Sequence, residues 1–429
     1  MSPRKILHAA DIHLDSPLQQ LGGYDDAPAD EIRGASRRAL ENMTQLAIEQ
    51  QVDLVVIAGD LYDGDWRDQN TGLFFVSQAS RLVQAGIPLV VIRGNHDALN
   101  VMTSSLPLPD NPDGSEIMMA ADRVDCRIFE SIGVCVQGRS FGKREQKEGL
   151  AAQYPAPVSG MFNLGLLHTS LNGAEGHDNY APCTPAQLTD KEYDYWALGH
   201  IHLRGEHGID GGAPIVFSGN IQGRHIRESG PKGCVIVDID AQEQTTRTFY
   251  PLDVVRWQLC EIDVSLATHR DDVLDSLQQW IRETLPRIDD RMLVVRVRLV
   301  GATPMHSELH RSRRQFEAAL RSITVTDGEQ RTWLEKVRIA TTAPVETTAG
   351  VELDGPMESI TTVVNQMRDA EDSDQMIRDE LSKLLGKIPV ELLGNVDSFG
   401  GDDDQWSRRL IESAAADLMG RLHGQEAAE

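Results

Sequence analysis

Five apolar segments of this chain each run directly into aspartate, asparagine or histidine. In PLVVIRGNHD, residues 88–97, an apolar stretch rich in β-branched residues stops at a glycine and then presents Asn95, His96 and Asp97 in succession. The other four segments are KILHAADIH, VDLVVIAGDLYD, FNLGLLH and YWALGHIH, which end at residues 13, 63, 168 and 202. Such runs are typical of central strands, and ligands of open α/β sheets bind where the strands end. The sequence therefore predicts five strand ends that converge on one polar site.

Helical and strand-like segments alternate over the first hundred residues. Strands are predicted at residues 5–10, 52–58 and 87–92, and apolar side chains recur at helical spacing over residues 29–51 and 73–85. This β-α-β-α-β order predicts a parallel sheet built by right-handed crossovers. Mostly strand-like segments follow up to residue 250, and residues 127–137 are predicted as one strand. A second sheet packed on the first is therefore expected.

The length of the chain indicates more than one domain, because 429 residues exceed what one core usually supports. Strands and helices alternate again between residues 257 and 339, with one helix expected at 307–322, which predicts a separate small domain. Two amphipathic helices are expected in the tail, where they either pack on the same chain or dock on a partner helix. The predicted divisions are a first domain over 1–252, a small α/β domain over 253–342, a linker over 343–356 and a helical tail over 357–429.

Composition restricts the partners and the compartment. The formal net charge of −25 argues against loose electrostatic binding to a polyanion, which depends on lysine and arginine. Bound metal ions would add positive charge that this count ignores. The five scattered cysteines contain no CxxC pair, which suits a reducing compartment, and the N-terminus enters a strand without an apolar targeting segment. We therefore expect a cytoplasmic protein without a membrane-spanning segment.

The polar residues at the strand ends indicate a metal centre. Aspartate, asparagine and histidine in mixture suit manganese, iron or zinc better than magnesium. The candidate ligands are Asp11, His13, Asp60, Asn95, His168, His200 and His202. Because four to six ligands saturate one ion, these seven imply two ions and a bridging carboxylate, for which Asp60 is the candidate. Two ions about 3.5–4 Å apart activate a water and stabilise the attacking and leaving oxygens of a displacement at phosphorus.

His96 and Asp63 are the candidate catalytic residues. Neighbouring residues in an extended turn point apart, so the His96 imidazole is free of the metal ions if Asn95 is a ligand. It can then bind the phosphoryl oxygens or protonate the leaving group, and the Asp63 carboxylate can orient it.

Two further signals lie outside these segments. Arg224, Arg227 and Lys232 stand in a glycine-bearing loop, where they either reach substrate phosphates or remain solvated. GRSFG at residues 138–142 matches the G-x-S-x-G nucleophile pattern with Ser140 as nucleophile. It falls between strand-like segments rather than between a strand and a helix, which argues against a serine hydrolase.

The ordered motifs DIH, GDLYD, GNHD, LLHTS and GHIH resemble those of the calcineurin-like metallophosphoesterases. The longer stretches DIHLDSP, GDLYDG and SGNIQGRHIRESGPKG look like DNA double-strand-break repair nucleases of the SbcD type, and most like their bacterial YhaO-type relatives. The segment after about residue 254 resembles the DNA-capping domain of that branch. The resemblance covers roughly residues 1–340, and it is strongest over the first 240.

The resemblance implies an α/β fold, namely a four-layer α/β/β/α sandwich with a small α/β capping domain and a helical C-terminal tail. It assigns one ion to Asp11, His13, Asp60 and His202, the other to Asp60, Asn95, His168 and His200, and catalysis to His96. Some family members carry histidine where Asp63 stands. The resemblance further implies manganese, a DNA substrate, a homodimer, and a separate SbcC/YhaN-like coiled-coil ATPase as partner. Residues 138–144, GRSFGKR, do not complete a P-loop, which agrees with a separate ATPase.

The seven ligands and this resemblance together predict a two-metal-dependent DNA exonuclease that hydrolyses phosphodiester bonds in DNA repair. One alternative is a phosphodiesterase or phosphatase for a small molecule or a phosphoprotein, and the size of the second predicted domain argues against it. The other is a non-catalytic binding protein with the same fold, and the complete set of seven ligands with His96 argues against that.

Overall fold

The computed structural model describes residues 3–16, 28–64, 69–98, 107–171 and 180–344, together with residues 362, 363, 366 and 414. The described residues form two compact units. The first unit comprises the described residues of Met1–Leu259, Leu285–Val295 and Arg331–Glu335. The second comprises Cys260–Thr284, Arg296–Gln330 and the described residues from Lys336 onward.

A five-stranded sheet carries the first three predicted strands. Its strands are β1 (Arg4–Ala9), β2 (Leu54–Ala58), β3 (Leu89–Ile92), β10 (Gly233–Ile239) and β11 (Thr245–Pro251), in the order β11-β10-β1-β2-β3. Parallel pairing joins β1 to β2, with Ile6 opposite Leu54, and β2 to β3, with Val55 opposite Leu89. Strand β10 pairs antiparallel with both β1 and β11. The predicted parallel arrangement of the first three strands is confirmed.

Three helices connect these strands. They are α1 (Ala29–Arg33), α2 (Ala35–Glu49) and α3 (Gln69–Gln84). The helix predicted over residues 29–51 is thus two helices, because Gly34 ends one and begins the next. Glycine is a poor helix former, and the apolar periodicity on either side of it does not report the interruption. Helix α2 buries Ala39, Leu40 and Met43 on one face.

A six-stranded sheet forms the second layer of strands. Its members are β4 (Asp125–Phe129), β5 (Val134–Gly138), β6 (Phe162–His168), β7 (Tyr195–Gly199), β8 (Gly205–Glu206) and β9 (Ile215–Phe217), in the order β4-β5-β6-β7-β9-β8. Strands β5, β6, β7 and β9 are parallel to one another. The single strand predicted over residues 127–137 is wrong, because β4 and β5 form an antiparallel hairpin whose turn contains Gly133 at φ 63°.

Alternating side chains build separate cores on the two faces of the first sheet. Leu7, Val55 and Val91 face the helices α2 and α3, in a core that contains Leu40 and Phe75. Their neighbours in sequence face the second sheet, in a core that contains Ile6, Val56, Val90, Val136 and Leu164. Successive side chains of a strand point to opposite faces of the sheet, so neighbouring residues enter different cores.

A third core covers the far face of the second sheet. It contains Leu167, Trp196 and Leu198 of that sheet together with Tyr154 and with Leu188 of helix α4 (Pro185–Thr189). Helices, two sheets and a further helical layer therefore follow one another, which confirms the predicted α/β class and its four layers.

The remaining elements alternate as predicted. Strands β12 (Val255–Asp263), β13 (Met292–Ala302) and β14 (Thr332–Thr342) form a three-stranded sheet in that order, with helices α5 (Arg270–Thr284), α6 (His306–Arg311) and α7 (Arg313–Thr326) between them in the chain. The helix predicted over residues 307–322 is two helices, which meet at Ser312. The predicted boundary between residues 252 and 253 stays a prediction.

Most of the predicted linker, residues 343–356, and of the predicted helical tail, residues 357–429, lies outside the described residues. Within the part of the chain that is described, no helix combines the length and the apolar character that crossing a bilayer requires.

Candidate metal centre

The candidate ligands follow the carboxyl ends of parallel strands from both sheets. Asp11 and His13 come after β1, Asp60 after β2 and Asn95 after β3. His168 is the last residue of β6, and His200 and His202 come after β7. Tight turns directly after the strands bring these side chains together, as the next contacts show.

The backbone of these turns is strained. Asp11, His13, Asp60 and His200 have φ angles of 52°, 45°, 51° and 101°, a region that residues other than glycine seldom occupy. Each such residue costs of order 1 kcal/mol or more and persists only where its surroundings enforce it. Hydrogen bonds of 3.0 Å from Asp11 N to Gly59 O and from His13 N to Asp60 O hold two of these turns against each other.

A first donor set consists of Asp11, His13 and His202, whose donor atoms all lie within 4.8 Å of one another. The Nε2 atoms of His13 and His202 are 3.1 Å apart. Two ligand atoms at 2.0–2.2 Å from one ion stand about 3.0–3.5 Å from each other in octahedral or tetrahedral geometry. The spacing of the two imidazoles is therefore that of two ligands of one ion.

A second donor set consists of Asp60, His168 and His200, again with all donor atoms within 4.8 Å of one another. His168 Nε2 lies 3.4 Å from Asp60 Oδ2 and 3.0 Å from Asn95 Oδ1. Asn95 thus joins this set through its amide oxygen.

Asp60 lies between the two sets. Its Oδ2 atom is 3.8 Å from His13 Nε2 in one set and 3.4 Å from His168 Nε2 in the other. Its Oδ1 atom accepts a hydrogen bond of 2.9 Å from His96 N. Asp60 Oδ2 is buried and has no hydrogen-bond partner. A buried carboxylate oxygen without a partner costs free energy unless a cation neutralises it. The geometry fits a carboxylate that bridges two ions.

Hydrogen bonds fix which ring nitrogens are available to metal ions. His168 Nδ1 lies 2.8 Å from Ala58 O, to which it can only donate, so in the neutral ring Nε2 carries the lone pair. His202 Nδ1 lies 2.7 Å from Glu228 Oε1, with the same consequence for its Nε2 atom. Partners of this kind usually orient histidine ligands. Both rings therefore direct Nε2 to the donor sets, and in their neutral forms this is the atom that binds metal.

The charges favour a cation at the centre. Burial would raise the pKa of Asp60, but the neighbouring His168 and His13 hold it well below its ordinary value. Burial would lower the pKa of His168, but the charges of Asp60 and Asp11 raise it to about 9. Burial, assisted by the charge of Arg224, lowers the pKa of His13 well below its ordinary value. The carboxylates thus attract positive charge. His13 is neutral as a ligand must be, and an ion at the centre would displace the second proton that His168 holds.

His96 and Asp63 lie at the rim of the centre. His96 Nδ1 is 2.6 Å from Asp63 Oδ1, and the imidazole is 40% exposed. The Ser16 hydroxyl also donates to Asp63. Burial would lower the pKa of His96, but its hydrogen bond to Asp63 and the charges of Asp60 and Asp63 raise this pKa. Since Asp63 occupies Nδ1, the Nε2 atom is left for a substrate.

His13, Asp63 and His96 also bring three donor atoms within 4.8 Å of one another. His13 Nδ1 is 4.0 Å from Asp63 Oδ1, which is longer than its Nε2 contact with His202. We assign the His13 ring to the first donor set on this ground.

The three basic residues of the glycine-bearing loop after β9, Arg224, Arg227 and Lys232, differ in their contacts with the centre. Arg224 reaches Asp63 and Glu228, whereas the Lys232 ammonium donates to His202 O at 2.9 Å and Arg227 is exposed. Glu228, which sequence reasoning missed, is the partner of His202. Its position inside the motif RHIRESGPKG was the signal that could have identified it.

Ser140 has no role as a nucleophile. Its buried hydroxyl donates to Met119 O at 2.7 Å and accepts from Arg93 N at 3.0 Å. A nucleophilic serine needs a histidine base at hydrogen-bond distance, and these two backbone groups occupy the hydroxyl instead.

Two family models match the chain. The model described as calcineurin-like phosphoesterase matches residues 4–204, and the model described as the middle domain of metallophosphoesterase YhaO matches residues 257–342. These two matches correspond to the metal centre and to the strands and helices that follow β11.

Three curated relatives match more than half of the chain. The chain is 32% identical over 303 residues to the uncharacterized metallophosphoesterase YhaO of Bacillus subtilis, across 70% of this chain and 72% of that protein. It is 26% identical over 258 residues to the DNA double-strand break repair protein Mre11 of Sulfurisphaera tokodaii, across 57% of this chain and 62% of that protein. It is 24% identical over 299 residues to the D component of the nuclease SbcCD of Staphylococcus epidermidis, across 64% of this chain and 75% of that protein.

Proposed function

The chain belongs to the YhaO family of calcineurin-like metallophosphoesterases, and from this premise we propose that it is a two-metal DNA exonuclease. The observation that carries the chemistry is the position of Asp60, whose unpartnered Oδ2 atom lies between the Nε2 atoms of His13 and His168. Divalent ions, for which manganese is our proposal, would there activate water and neutralise charge on the phosphate. DNA as the substrate rests on the relatives named for double-strand break repair and as part of a nuclease.

The residues of the centre have distinct roles in this proposal. Asp11, His13, Asp60 and His202 would hold one ion, and Asp60, Asn95, His168 and His200 would hold the other. The His96 imidazole is oriented by Asp63. With substrate bound, it would either donate a proton to the departing sugar oxygen or stabilise the charge on that oxygen.

We further propose that the protein works as a homodimer, with a coiled-coil ATPase as partner in DNA repair in the cytoplasm. The absence of a P-loop from its own sequence supports a separate ATPase.

A second candidate is a phosphodiesterase for a small molecule, which the net charge of −25 favours because a DNA backbone is repelled by acidic surfaces. The metal chemistry would be the same, and only the substrate would differ.

The test is degradation of end-labelled duplex and single-stranded DNA with Mn²⁺, compared between the wild type and His96→Ala, with a chromogenic phosphodiester as control substrate. Cleavage of DNA and chromogen by the wild type, and of neither by the variant, supports the nuclease. Cleavage of the chromogen alone, even with a coiled-coil ATPase present, refutes the DNA substrate and favours the second candidate.

A further inference from the structure

We propose that Glu228 is a positioning residue that holds both His202 and Arg224, and that Arg224 binds a non-bridging oxygen of the substrate phosphate. This inference rests on the proposed function only in that the substrate is a phosphate ester. The metal centre would then include two further side chains, the positively charged Arg224 and the Glu228 carboxylate that holds it.

The Glu228 side chain is buried, with only 6% of it exposed, and both oxygens of its carboxylate accept hydrogen bonds. Oε1 lies 2.7 Å from His202 Nδ1 and accepts a hydrogen bond from Arg224 Nη2 at 3.1 Å. Oε2 accepts from the backbone N of Arg224 at 2.7 Å and from Asn220 Nδ2 at 3.0 Å. His225 Nε2 lies 3.7 Å from Oε1. A buried carboxylate with this many partners is held in one position.

The bond to His202 has a consequence for metal binding. With Nδ1–H donated to Glu228, the His202 ring presents its Nε2 lone pair to the space that it shares with His13 Nε2, 3.1 Å away. Without this acceptor the ring could rotate or adopt the other tautomer, and the first donor set would lose a ligand.

The Arg224 guanidinium is held at the opening of the centre. Its Nη1 atom lies 3.4 Å from Asp63 Oδ2. Its Nη2 atom donates to Glu228 Oε1 and lies 3.3 Å from His202 Nδ1. Arg224 Nε is buried without a hydrogen-bond partner. The guanidinium therefore stands between the carboxylate that orients His96 and the carboxylate that orients His202.

The contacts of Arg224 leave capacity for an anion. The 3.4 Å contact with Asp63 is long for a charge-assisted hydrogen bond, which is normally about 2.7–2.9 Å. A guanidinium presents five donors in a planar fork that matches phosphate geometry. A phosphate at the metal centre would lie within the field of the Arg224 charge.

The loop has anchors that do not involve Arg224 or Glu228. Gln222 Nε2 donates to Val255 O at 2.7 Å, and Trp257 Nε1 donates to Gly223 O at 3.0 Å. Lys232 Nζ bonds to His202 O at 2.9 Å. Substitution of Arg224 should therefore change the centre without unfolding the loop.

The experiment compares the full-length wild type with Arg224→Gln, Arg224→Lys and Glu228→Gln, and uses Arg227→Gln as the matched control because Arg227 is an exposed arginine of the same loop. Mn²⁺ affinity is measured by calorimetry, binding of inorganic phosphate by competitive inhibition, and kcat and KM with a chromogenic phosphodiester.

For Arg224→Gln we expect unchanged Mn²⁺ affinity, a phosphate inhibition constant raised about 10- to 100-fold and a correspondingly raised KM. Arg224→Lys should recover part of the loss, because lysine keeps the charge but not the fork. Inhibition by phosphate in Arg224→Gln equal to that of the wild type would overturn the role of Arg224.

For Glu228→Gln we expect Mn²⁺ affinity lowered about 10- to 100-fold, the usual effect of removing a partner of a histidine ligand. If this variant does not fold, Glu228→Asp withdraws the carboxylate by one methylene and should show the same loss. Wild-type Mn²⁺ affinity in the folded variant would overturn the positioning role. Neither the Mn²⁺ titration nor the phosphate inhibition involves DNA. If both give the expected results while the wild type leaves DNA intact, the DNA exonuclease is refuted and the roles of Arg224 and Glu228 stand.

Discussion

His96 Nδ1 and Asp63 Oδ1 are 2.6 Å apart at the rim of the metal centre, although 33 residues separate them in sequence and they follow different strands. The short distance places the imidazole in one orientation, with Nδ1 on the carboxylate and Nε2 away from it. A histidine oriented by a carboxylate in this way is suited to a proton transfer or to stabilising charge on a leaving oxygen.

The substitution His96→Gln should lower kcat about 10²- to 10⁴-fold, the range typical of a lost general acid. Two-ion binding should be retained, because His96 contributes only its backbone N–H, at 2.9 Å, to Asp60. The measurement is kcat with a chromogenic phosphodiester beside a calorimetric Mn²⁺ titration. A parallel loss of Mn²⁺ binding would show that His96 is a ligand instead.

The substitution Asp60→Asn should remove the bridge between the donor sets. Because Asp60 Oδ2 is the oxygen placed between His13 and His168, we expect Mn²⁺ stoichiometry to fall from two ions to about one and hydrolysis to fall with it. Asp110→Asn, at an exposed carboxylate, is the control and should bind two ions. Full occupancy in Asp60→Asn would contradict the bridging role.

The substitution Gly94→Ala should disrupt the centre through shape alone. A Cβ atom at Gly94 would stand 2.3 Å from Asp60 Oδ1 and 2.7 Å from His168 Nε2, closer than real Cβ contacts. These two side chains must then move, so both Mn²⁺ affinity and thermal stability should fall. In Gly142→Ala the nearest atoms are 3.8 Å away, and this control should behave as the wild type in both assays.

His8 should make the folded state sensitive to acid. Its side chain is fully buried in β1, where Nε2 donates to Leu198 O at 3.2 Å and Nδ1 lies 3.1 Å from the Tyr195 hydroxyl. Burial lowers its pKa to about 3, with partial opposition from the bond to Leu198, whereas an unfolded histidine has a pKa of about 6.5. Between these values the unfolded chain binds a proton that the folded chain does not.

The free energy of unfolding should therefore fall as the pH is lowered from about 6.5 toward 3. In this range His8 accounts for a slope of up to about 1.4 kcal/mol per pH unit, and above about pH 6.5 it adds no pH dependence. In metal-free protein, urea unfolding at about pH 6.5, 5.5 and 4.5 should show a smaller decline for His8→Gln than for the wild type. The exposed His207→Gln should decline as the wild type does. Equal declines in all three proteins would contradict the contribution of His8.

The α/β class and the layer order were predictable because they depend on local patterns. The apolar runs that became β1, β2 and β3 are bounded by ligand-type residues, and helical periodicity between them implied parallel crossovers. Three local errors have local causes, and one of them is the helix that is divided at Ser312. Gly34 interrupts a periodic helix, and the turn at Gly133 folds one predicted strand into a hairpin, because periodicity describes the faces of an element and not its continuity.

The convergence of the candidate ligands was also predictable, since each stands at the end of a strand or within a few residues of it, and strand ends of parallel sheets meet at one edge. Glu228 was not predictable in this way, because it follows a loop and reaches His202 only through the path of that loop. For Arg224 the sequence left two interpretations open, a phosphate ligand or a solvated charge, because the neighbouring residues in sequence favour neither.

The sequence by itself thus determined which residue types lie at the strand ends, and with them the metal chemistry that this protein can support. Only the tertiary structure decided that Asp60 lies between His13 and His168, that Asp63 holds His96 and that Glu228 joins His202 to Arg224. The physical reason is that strand ends are set by local periodicity, whereas contacts of 2.6–3.8 Å between residues distant in sequence depend on how two sheets and one loop pack together.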